Sequence, residues 1–554
     1  MHKTLLAITL GLALLVRLVG ISSYPIGLTQ DEAGFGYDAY SILKTGRDEW
    51  GTFLPLAFRS FGDFKLPLYT YLTIPSVVIF GLNEFAVRLP NAILGTLAIL
   101  ATYLMVKKLT KREDLAIWSS ILLTISPWQV SLSRGAFEAN LTTFFMPLAV
   151  WLFYIGLQKP KIMWLSALTF GINLFSYHSA RVFTPIILIL LIYFNWGELK
   201  KNLSAKYFLA ALIFSIFLFL SAYTMLTGAQ ARALDVTILN PTDHWAYVAD
   251  RRYEAVKQNI PDSIARLFSN KATYVFRQFV SNYLSYLSPS FLFIDGVGEW
   301  TYGMISGRGV LYLIELIFIL FAIVSFIKNE KFKGMNFIIF WVILSPIPAA
   351  ISKSIGSAGN RAAIMMPAIQ ILSAYGLITA NAIFKKKIKN YYFKNIFLLG
   401  TTIMLFVSLA FFLEDYLFHA PLRAEQSMHY GMKEAVQYIS QNEEKFDSVI
   451  LSRALSVPQI WVAFYEKYDP TSFQEASKEW LVYQKEGLHY IDQLGKYQLG
   501  KYIFTGINRD LAKEKSAILV VGKPEDFKET TKPSKIIYYP DGKPAIYIVE
   551  NKNI

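Results

Sequence analysis

The chain has 554 residues, of which 54% are apolar and 17% are charged, and its mean hydropathy is +0.37. Soluble domains usually carry about 25% charged residues, so this composition favours an integral membrane protein. Cysteine is absent, which excludes a disulfide framework and a thiolate metal site. The net charge of +14 would suit a nucleic acid or a membrane surface, and the positions of the charges decide between the two.

About eleven apolar runs are each long enough to cross a bilayer, which takes about 20 residues. They lie near 4–22, 84–106, 115–132, 138–157, 161–177, 180–196, 205–226, 306–327, 335–352, 361–384 and 394–413. A shorter run at 68–82, broken by Pro75, predicts a re-entrant or interfacial piece. The first run could instead be a signal peptide, but no small-residue cleavage pattern follows it.

Basic residues are concentrated in every second connecting loop, and short loops rich in Lys and Arg are retained on the cytoplasmic side. These loops lie around 107–112, 159–161, 200–206, 328–333 and 385–389. The alternation predicts a cytoplasmic N-terminus and explains the positive charge without a nucleic acid partner. The outer side then receives the loops 23–83 and 227–305 and everything after 414. The second loop looks helical and aromatic, so we expect a cap that guides acceptor or lipid.

Composition changes in the last part of the chain, where charged residues return and the apolar runs shorten to strand length. SVILS, KYIFTGI, AILVVG, KIIYYP and AIYIVE predict strands, and MKEAVQYISQ has helical spacing. We therefore expect an all-α polytopic membrane domain over 1–415 and a small soluble α/β domain over 425–554, on the outer side. This domain is either a folded appendage or an element that recognises the acceptor or a partner.

The first outer loop holds the most unusual polar residues. In LTQDEAGFGYDAY, Asp31 and Glu32 follow the first span closely, and in FRSFGDFKLPLYTYL, Lys65 precedes an apolar segment. The acids could simply begin a helix, because carboxylates suit its positive end. The lysine could simply extend its charge to water from an apolar surface.

Three later outer segments each add a cation. Arg134 and Glu138 are spaced to share one helix face, His178 and Arg181 lie between two spans, and Arg361 lies at the end of another. An Arg–Glu pair could be purely structural, but Arg at a membrane edge is costly unless it is paired or used. Together the segments predict one outward-facing cavity lined by acids and cations, which suits an anionic lipid phosphate. Neither GxxxxGK[ST] nor GxGxxG is present, so nothing indicates a nucleotide site.

The order of these motifs resembles the GT-C membrane glycosyltransferases. The Asp-Glu pair, the KLPLY before an interfacial segment and FAVRLPNAILGTLAILATYLMVKKL are similar to the protein O-mannosyltransferase family (glycosyltransferase family 39) and to the bacterial aminoarabinose transferases that modify lipid A. SYHSARVFTPIILIL and NRAAIMMPAIQILSAYGL look like later landmarks of that family. The resemblance covers most of 1–415.

The resemblance implies an inverting transfer in which an acceptor hydroxyl attacks the anomeric carbon of a polyprenyl-phosphate sugar. Asp31 matches the family's catalytic base. Glu32 and Glu138 complete the expected catalytic group, in which Glu138 would orient Arg134 or the sugar and Glu32 would support the base or a metal. The residues expected to bind the donor phosphate are Lys65, Arg134, Arg181 and Arg361. Asp63, His178 and Glu299 are candidates for support. Phe64 precedes Lys65 where the aminoarabinose transferases have an acidic residue of a metal site, so the metal is left unknown and no cofactor is expected to be required.

We therefore expect an enzyme of the cytoplasmic membrane that moves a mannose-like or other monosaccharide to a lipid, glycan or protein acceptor on the outer face. Membrane lipids are further partners, and no nucleic acid is expected. Two alternatives stay open from the residues. A polymerase or ligase acting on a lipid-linked polysaccharide would usually have its large outer loop late in the chain. A secondary transporter or flippase should show internal repeats, and none is visible.

Overall fold

The computed structural model describes residues 2–201, 205–227, 237–297, 304–328, 332–353, 358–387, 395–488, 490–508 and 515–553. The helices are α1 His2–Leu18, α2 Gln30–Thr45, α3 Pro67–Phe80, α4 Glu84–Thr110, α5 Glu113–Ile125, α6 Pro127–Arg134, α7 Leu141–Gln158, α8 Met163–Asn173, α9 His178–Phe194, α10 Trp196–Lys201, α11 Ala205–Thr227, α12 Pro241–Lys257, α13 Asp262–Phe268, α14 Lys271–Tyr286, α15 Leu313–Ile327, α16 Met335–Leu344, α17 Pro346–Ala350, α18 Ala368–Lys387, α19 Ile396–Glu414, α20 Ala420–Ala424, α21 Met432–Asn442, α22 Pro458–Tyr465, α23 Pro470–Trp480 and α24 Val482–Lys485. The strands are β1 Phe58–Arg59, β2 Phe64–Lys65, β3 Ser448–Ser452, β4 Lys496–Leu499, β5 Tyr502–Thr505, β6 Ile518–Gly522, β7 Lys535–Tyr538 and β8 Pro544–Glu550.

The apolar helices of the first three quarters pack around one hydrophobic core, which we call the inner core. Its fully buried large side chains include Trp128, Trp341 and Tyr375. Helices with apolar residues on most faces must bury them in protein or expose them to lipid. Phe406 on α19 and Phe208 on α11 are 70% and 73% exposed, which is expected of a lipid-facing surface. The inner core is therefore the interior of a membrane bundle.

Judged by length and composition, four helices within the described ranges are suited to cross a membrane, namely Glu84–Thr110, Glu138–Gln158, Ala205–Leu226 and Ile396–Ala424. Glu113–Ile125 and Pro127–Arg134, bent by 56°, would together make a fifth. Shorter apolar helices are Pro67–Phe80, His178–Phe194, Leu313–Ile327 and Met335–Ala350. Each predicted apolar run contains a helix, and so does the piece predicted at 68–82. The total of about eleven spans stays a prediction.

The C-terminal part forms a six-stranded sheet in the order β4-β5-β3-β6-β8-β7. β3 lies between β5 and β6 and is parallel to both, whereas the outer pairs are antiparallel. All five residues of β6 are buried, as expected for a central strand covered on both faces. Five of the six strands lie where the sequence predicted strands, and β4 was not predicted. The domain boundary itself stays a prediction.

One face of this sheet shares its core with the first outer loop. We call this the outer core; it joins buried side chains of α2, α3 and the start of α4 to those of the sheet and its helices. Its members include Phe35, Tyr37, Trp50, Tyr69, Val87, Trp461, Phe464, Phe473, Trp480 and Leu519. The C-terminal part is therefore packed on the loop that carries Asp31.

Candidate active site

The N-terminus of α2 positions Asp31. Thr29 caps the helix by accepting a hydrogen bond from the Glu32 amide, and the Glu32 carboxylate accepts one from the Thr29 amide at 3.0 Å. This reciprocal capping box fixes the first turn. Asp31 lies in that turn, with its side chain 52% exposed, where the positive end of the helix favours a carboxylate. It is held rigidly yet is open to an incoming molecule.

Lys65 approaches Asp31 from the short hairpin of β1 and β2. Its Nζ lies 2.9 Å from Asp31 Oδ1, and its side chain is only 7% exposed. The ammonium sits over the rings of Phe35 and Phe61, at 4.8 and 5.1 Å from their centroids, a favourable cation–π arrangement. Gly34 leaves it room, because a Cβ there would lie 2.9 Å from Nζ. The helix and hairpin thus hold a cation against the base.

Electrostatics keep Lys65 charged although it is buried. Burial lowers the pKa of Lys65, but the facing Asp31 carboxylate raises it more, helped by Asp63 and Glu49, so the net pKa is raised. Asp63 lies in the turn of the hairpin, between β1 and β2. A buried ammonium that is paired with a carboxylate is ready to exchange it for another anion.

The loop after α6 brings Glu138 to the same place. Glu138 begins a 3₁₀ turn that ends at Asn140, directly before α7. It is half-buried, and its carboxylate interacts electrostatically with Asp31, Lys65 and Asp63. The structure therefore brings three predicted acids together around one ammonium. Such a site offers a base for a hydroxyl proton and a cation for a leaving phosphate.

Glu32 faces the interior, where it forms a buried ion pair with Arg88 at 2.8 Å, both side chains being 0% exposed. Its carboxylate also accepts the Ala136 amide at 2.9 Å. The other guanidinium bonds go to the carbonyl oxygens of Ile21, Pro25 and Gly27. Both carboxylate oxygens are thereby occupied. Glu32 ties the turn of Asp31 to the loop of Glu138, which is a positioning role, and proton transfer by Glu32 itself stays a prediction.

The three predicted phosphate-binding arginines have other partners in this structure. Arg134 donates to the carbonyl oxygens of Val16, Val19 and Tyr24, at the end of α1. Arg181 donates to the Thr224 hydroxyl at 2.8 Å, and Arg361 donates to the Ser352 hydroxyl at 2.8 Å. Arg134 and Arg181 are buried. Phosphate binding by these three residues stays a prediction.

Of the predicted supporting residues, His178 begins α9, with its ring against the edge of Tyr177 at 6.2 Å between centroids. Glu299 lies outside the described residues. Within the described ranges, no group of three or more His, Asp or Glu residues is arranged to hold a metal ion. Dependence on a metal stays open, as it was from the sequence.

Sequence reasoning missed Arg88 and Arg17, although both lie inside predicted spans. Arg17 is fully buried and donates to Gln129 Oε1 at 3.0 Å and to the Ala13 carbonyl at 2.9 Å. An arginine within an apolar helix requires such partners, so this signal was present in the sequence. The partners themselves are distant in sequence, and only the fold identifies them.

A buried acidic cluster beside the site was also missed. Asp38, Asp48 and Glu49 are each at most 2% exposed. Burial raises the pKa of Glu49 to about 8, although Lys65 opposes the shift. Burial likewise raises the pKa of Asp48 to about 6. The hydrogen bonds that its carboxylate accepts from the backbone amides of Thr52 and Trp50 oppose this shift. The cluster places further carboxyl groups behind Lys65, and burial favours the protonated form of each.

The C-terminal part holds this acidic loop and α2 by direct hydrogen bonds. Gln474 donates to the Ser41 hydroxyl and to the Asp48 carbonyl, each at 3.0 Å. The Ser477 hydroxyl donates to the Glu49 carbonyl, also at 3.0 Å. Next to Asp31, the side-chain amide nitrogen of Gln30 lies 3.2 Å from His429 Nε2. The tail thus supports the segment that carries the site.

Part of the chain is similar to a known glycosyltransferase family. Residues 65–223 match the dolichyl-phosphate-mannose-protein mannosyltransferase family. YkcB of Bacillus subtilis (strain 168), named as a candidate mannosyltransferase, is 30% identical over 152 residues, which are 27% of this chain and 21% of that protein. The chain therefore aligns with about a fifth of the length of this curated relative. The predicted resemblance to the mannosyltransferase family is confirmed over the matched part.

Solved structures confirm the fold. ArnT from Cupriavidus metallidurans in the apo state superposes with a TM-score of 0.52 at 12% identity, covering 98% of this chain and 97% of that one. Its complex with undecaprenyl phosphate gives 0.51 at the same identity and coverage. The oligosaccharyltransferase AglB from Archaeoglobus fulgidus, in complex with an inhibitory peptide and a dolichol-phosphate, gives 0.51 at 17% identity over 84% of this chain and 63% of that one. The chain has the fold of these structures, the predicted GT-C fold, with a sheet-containing C-terminal part.

Proposed function

We propose that this protein is an inverting glycosyltransferase that moves a mannose-like or other monosaccharide from a polyprenyl-phosphate donor to an acceptor hydroxyl. The observation that carries the proposal is the pairing of half-exposed Asp31 with buried Lys65 at 2.9 Å. The solved structures with this fold add support, because ArnT is described as bound to undecaprenyl phosphate and AglB as bound to dolichol-phosphate.

The reaction needs one base and one stabilised leaving group. Asp31 takes the proton of the acceptor hydroxyl while the hydroxyl oxygen forms a bond to the anomeric carbon. The bond from that carbon to the phosphate oxygen breaks, and its electron pair leaves with the polyprenyl phosphate. Lys65 stabilises the negative charge that gathers there. Attack from the face opposite the phosphate inverts the anomeric carbon.

The ion pair of Lys65 and Asp31 suggests how donor binding prepares the base. The Lys65 ammonium neutralises the Asp31 carboxylate at 2.9 Å. A donor phosphate competes for the same ammonium, since phosphate and carboxylate are both favourable partners for it. When Lys65 turns toward the phosphate, Asp31 is released to accept a proton. The acceptor is then activated only when the donor is bound.

We place the reaction on the outer face of the cytoplasmic membrane, with the N-terminus in the cytoplasm and the C-terminal domain outside. The support is the alternation of basic and non-basic loops along the sequence. The partners are then a polyprenyl-phosphate sugar and a lipid, glycan or protein acceptor. We propose that no cofactor is required.

The test incubates purified protein in lipid with a panel of radiolabelled polyprenyl-phosphate sugars and a membrane extract. We expect one sugar to label the extract, and we expect Asp31→Asn to abolish labelling while the protein stays folded, with a small fall in melting temperature from the lost ion pair with Lys65. Asp262→Asn is the matched control, because Asp262 is an exposed acid paired with Arg266 on the surface. Equal labelling by Asp31→Asn and wild type would remove Asp31 from the mechanism, and labelling only from lipid diphosphate oligosaccharides would favour a polymerase or ligase.

A second variant separates donor binding from chemistry. Lys65→Ala should raise the apparent KM for the donor more than that for the acceptor, because it removes the phosphate's cation. Lys107→Ala is the control, since Lys107 forms an exposed ion pair with Glu113. An unchanged KM for the donor in Lys65→Ala would place the phosphate elsewhere.

A further inference from the structure

The helices α12 to α14, residues 241–286, expose an unusual amount of apolar surface. We call them the surface segment. Its exposed side chains include Ile260, Ile264, Leu267, Phe268, Phe276 and Leu284, of which Phe268 is 72% and Phe276 is 70% exposed. Large contiguous apolar surface on a water-facing element usually marks a site covered by a partner or by a membrane. The surface segment therefore needs a covering.

Contacts place the end of this segment beside one of the shorter apolar helices. The Tyr283 hydroxyl donates to the Ile343 carbonyl at 2.7 Å, inside the apolar helix Met335–Ala350. The Asn282 amide donates to the carbonyl oxygens of Ala350 and Ser352, at 3.1 and 2.9 Å. These hydrogen bonds fix the C-terminal end of the surface segment against one end of that apolar helix.

An open groove of about 510 Å³ runs along the apolar face of α14. Val275, Phe276 and Phe279 of α14 face Ile238, Leu239 and Ile351 across it. Every one of these side chains is apolar. Such a groove is unfavourable in water, where apolar surface costs about 25 cal/mol per Å², and favourable around a hydrocarbon chain.

Charge on the segment suits lipid headgroups. Across residues 241–286 there are six basic residues, Arg251, Arg252, Lys257, Arg266, Lys271 and Arg277, and four acidic ones, Asp243, Asp250, Glu254 and Asp262. Helices with basic residues on one face and Phe or Leu on the other lie in the membrane interface, where anionic lipids attract them. The charge therefore fits lipid headgroups, and the apolar face fits the acyl chains of the same lipids.

We propose that the surface segment is an interfacial anchor, with its apolar face among the acyl chains of the surrounding membrane and one acyl chain of a membrane lipid in the groove. The proposal is independent of the sugar-transfer reaction. It also places Arg361 near the membrane surface. Arg361 donates a hydrogen bond to the Ser352 hydroxyl, and the Ser352 carbonyl accepts one from the Asn282 side-chain amide. The sequence alone predicted only a helical cap here.

The absence of cysteine in the natural sequence allows a clean test. Single variants Phe268→Cys and Phe276→Cys are spin-labelled in the full-length protein, in nanodiscs of phosphatidylethanolamine and phosphatidylglycerol. Collisions of the label with oxygen, which concentrates in hydrocarbon, are compared with collisions with water-soluble NiEDDA. Phe406→Cys on α19 is the lipid-facing reference, and Lys478→Cys on α23 is the water-facing one. Melting temperatures confirm that each variant is folded.

We expect the oxygen to NiEDDA ratio at positions 268 and 276 to shift to the side of Phe406→Cys. A ratio on the side of Lys478→Cys at both positions would overturn the proposal. Dipolar broadening that is lost on dilution with unlabelled protein would identify a second copy as the covering, and would also overturn it. A Phe276→Cys label that loses oxygen contact only when polyprenyl phosphate is added would assign the groove to the donor instead of a membrane lipid.

Discussion

Two aromatic regions outside the bundle differ in what covers their rings. In the outer core, Trp50 and Trp480 meet edge to face at 6.2 Å between centroids, and Trp461 is 0% exposed. In the surface segment, Trp245 is 71% and Phe268 is 72% exposed. Both regions follow a membrane helix and both are rich in aromatic residues. Aromatic content therefore predicts that a surface will be covered, but not whether protein or lipid covers it.

The two regions also differ in their polar contacts, which explains why protein covers the rings of the outer core and leaves those of the surface segment exposed. Across the outer core, side chains such as Gln474 and Ser477 meet backbone carbonyls of the opposing loop, which fixes one docking geometry. In the surface segment, the ion pair of Arg266 and Asp262 lies within one helix and is 65% and 49% exposed. Nothing in that pair selects a protein partner. We expect substitutions in the outer core to change protein stability, and substitutions in the surface segment to change membrane contact.

The largest effect should come from Arg88→Met. This change leaves the buried Glu32 carboxylate without its partner, and breaking one side of a buried ion pair costs about 3–5 kcal/mol. We expect a large fall in melting temperature in detergent, with loss of transfer activity. Arg266→Met in the surface segment is the matched control and should change stability by less than about 0.5 kcal/mol. Similar melting temperatures for Arg88→Met and Arg266→Met would contradict the expected difference in stability between the two regions.

Trp461→Ala should have the next largest effect. Its ring is fully buried and packs on His429 at 5.0 Å between centroids, so the change removes apolar contacts and leaves a cavity, at a cost of about 3 kcal/mol. Trp245→Ala, which truncates an exposed ring, should leave the melting temperature in detergent unchanged. An unchanged melting temperature for Trp461→Ala would mean that the tail is not held by the outer core.

The buried acids give the outer core a pH dependence. Glu49 has a pKa of about 8 in the folded protein and about 4.3 when unfolded. Between these values the unfolded state releases the proton first, so stability falls as pH rises and levels off above about pH 8. Glu49→Gln removes this loss. Its advantage in free energy of unfolding should grow from pH 5 to pH 8 by on the order of 4 kcal/mol, at about 1.36 kcal/mol per pKa unit, and it is followed as a widening difference in melting temperature. A difference that is constant across this range would refute the assignment.

How far the sequence predicts the site is seen at its two adjacent acids. The sequence predicted the GT-C fold and named Asp31, Lys65 and Glu138, which the structure brings together. It assigned Asp31 as the base and Glu32 as its support at the same site, but successive side chains on a helix point about 100° apart, so one faces out and the other faces in. Arg88, the partner of Glu32, lies 56 positions away. Only the fold could supply that pairing.

The smallest effect, and the sharpest for the site, should come from Gly34→Ala. A Cβ at position 34 would lie 2.9 Å from the Lys65 Nζ, and since the ammonium ends a flexible side chain it can move aside without disturbing the fold. Ala also favours a helix by up to about 1 kcal/mol over Gly, so the melting temperature should hold or rise. The displaced ammonium should raise the apparent KM for the donor by roughly tenfold, or about 1.4 kcal/mol. Gly400→Ala on α19 is the control, because a Cβ there meets nothing within 4 Å. Equal KM values for the two variants would show that donor binding does not depend on the position of the Lys65 ammonium beside α2.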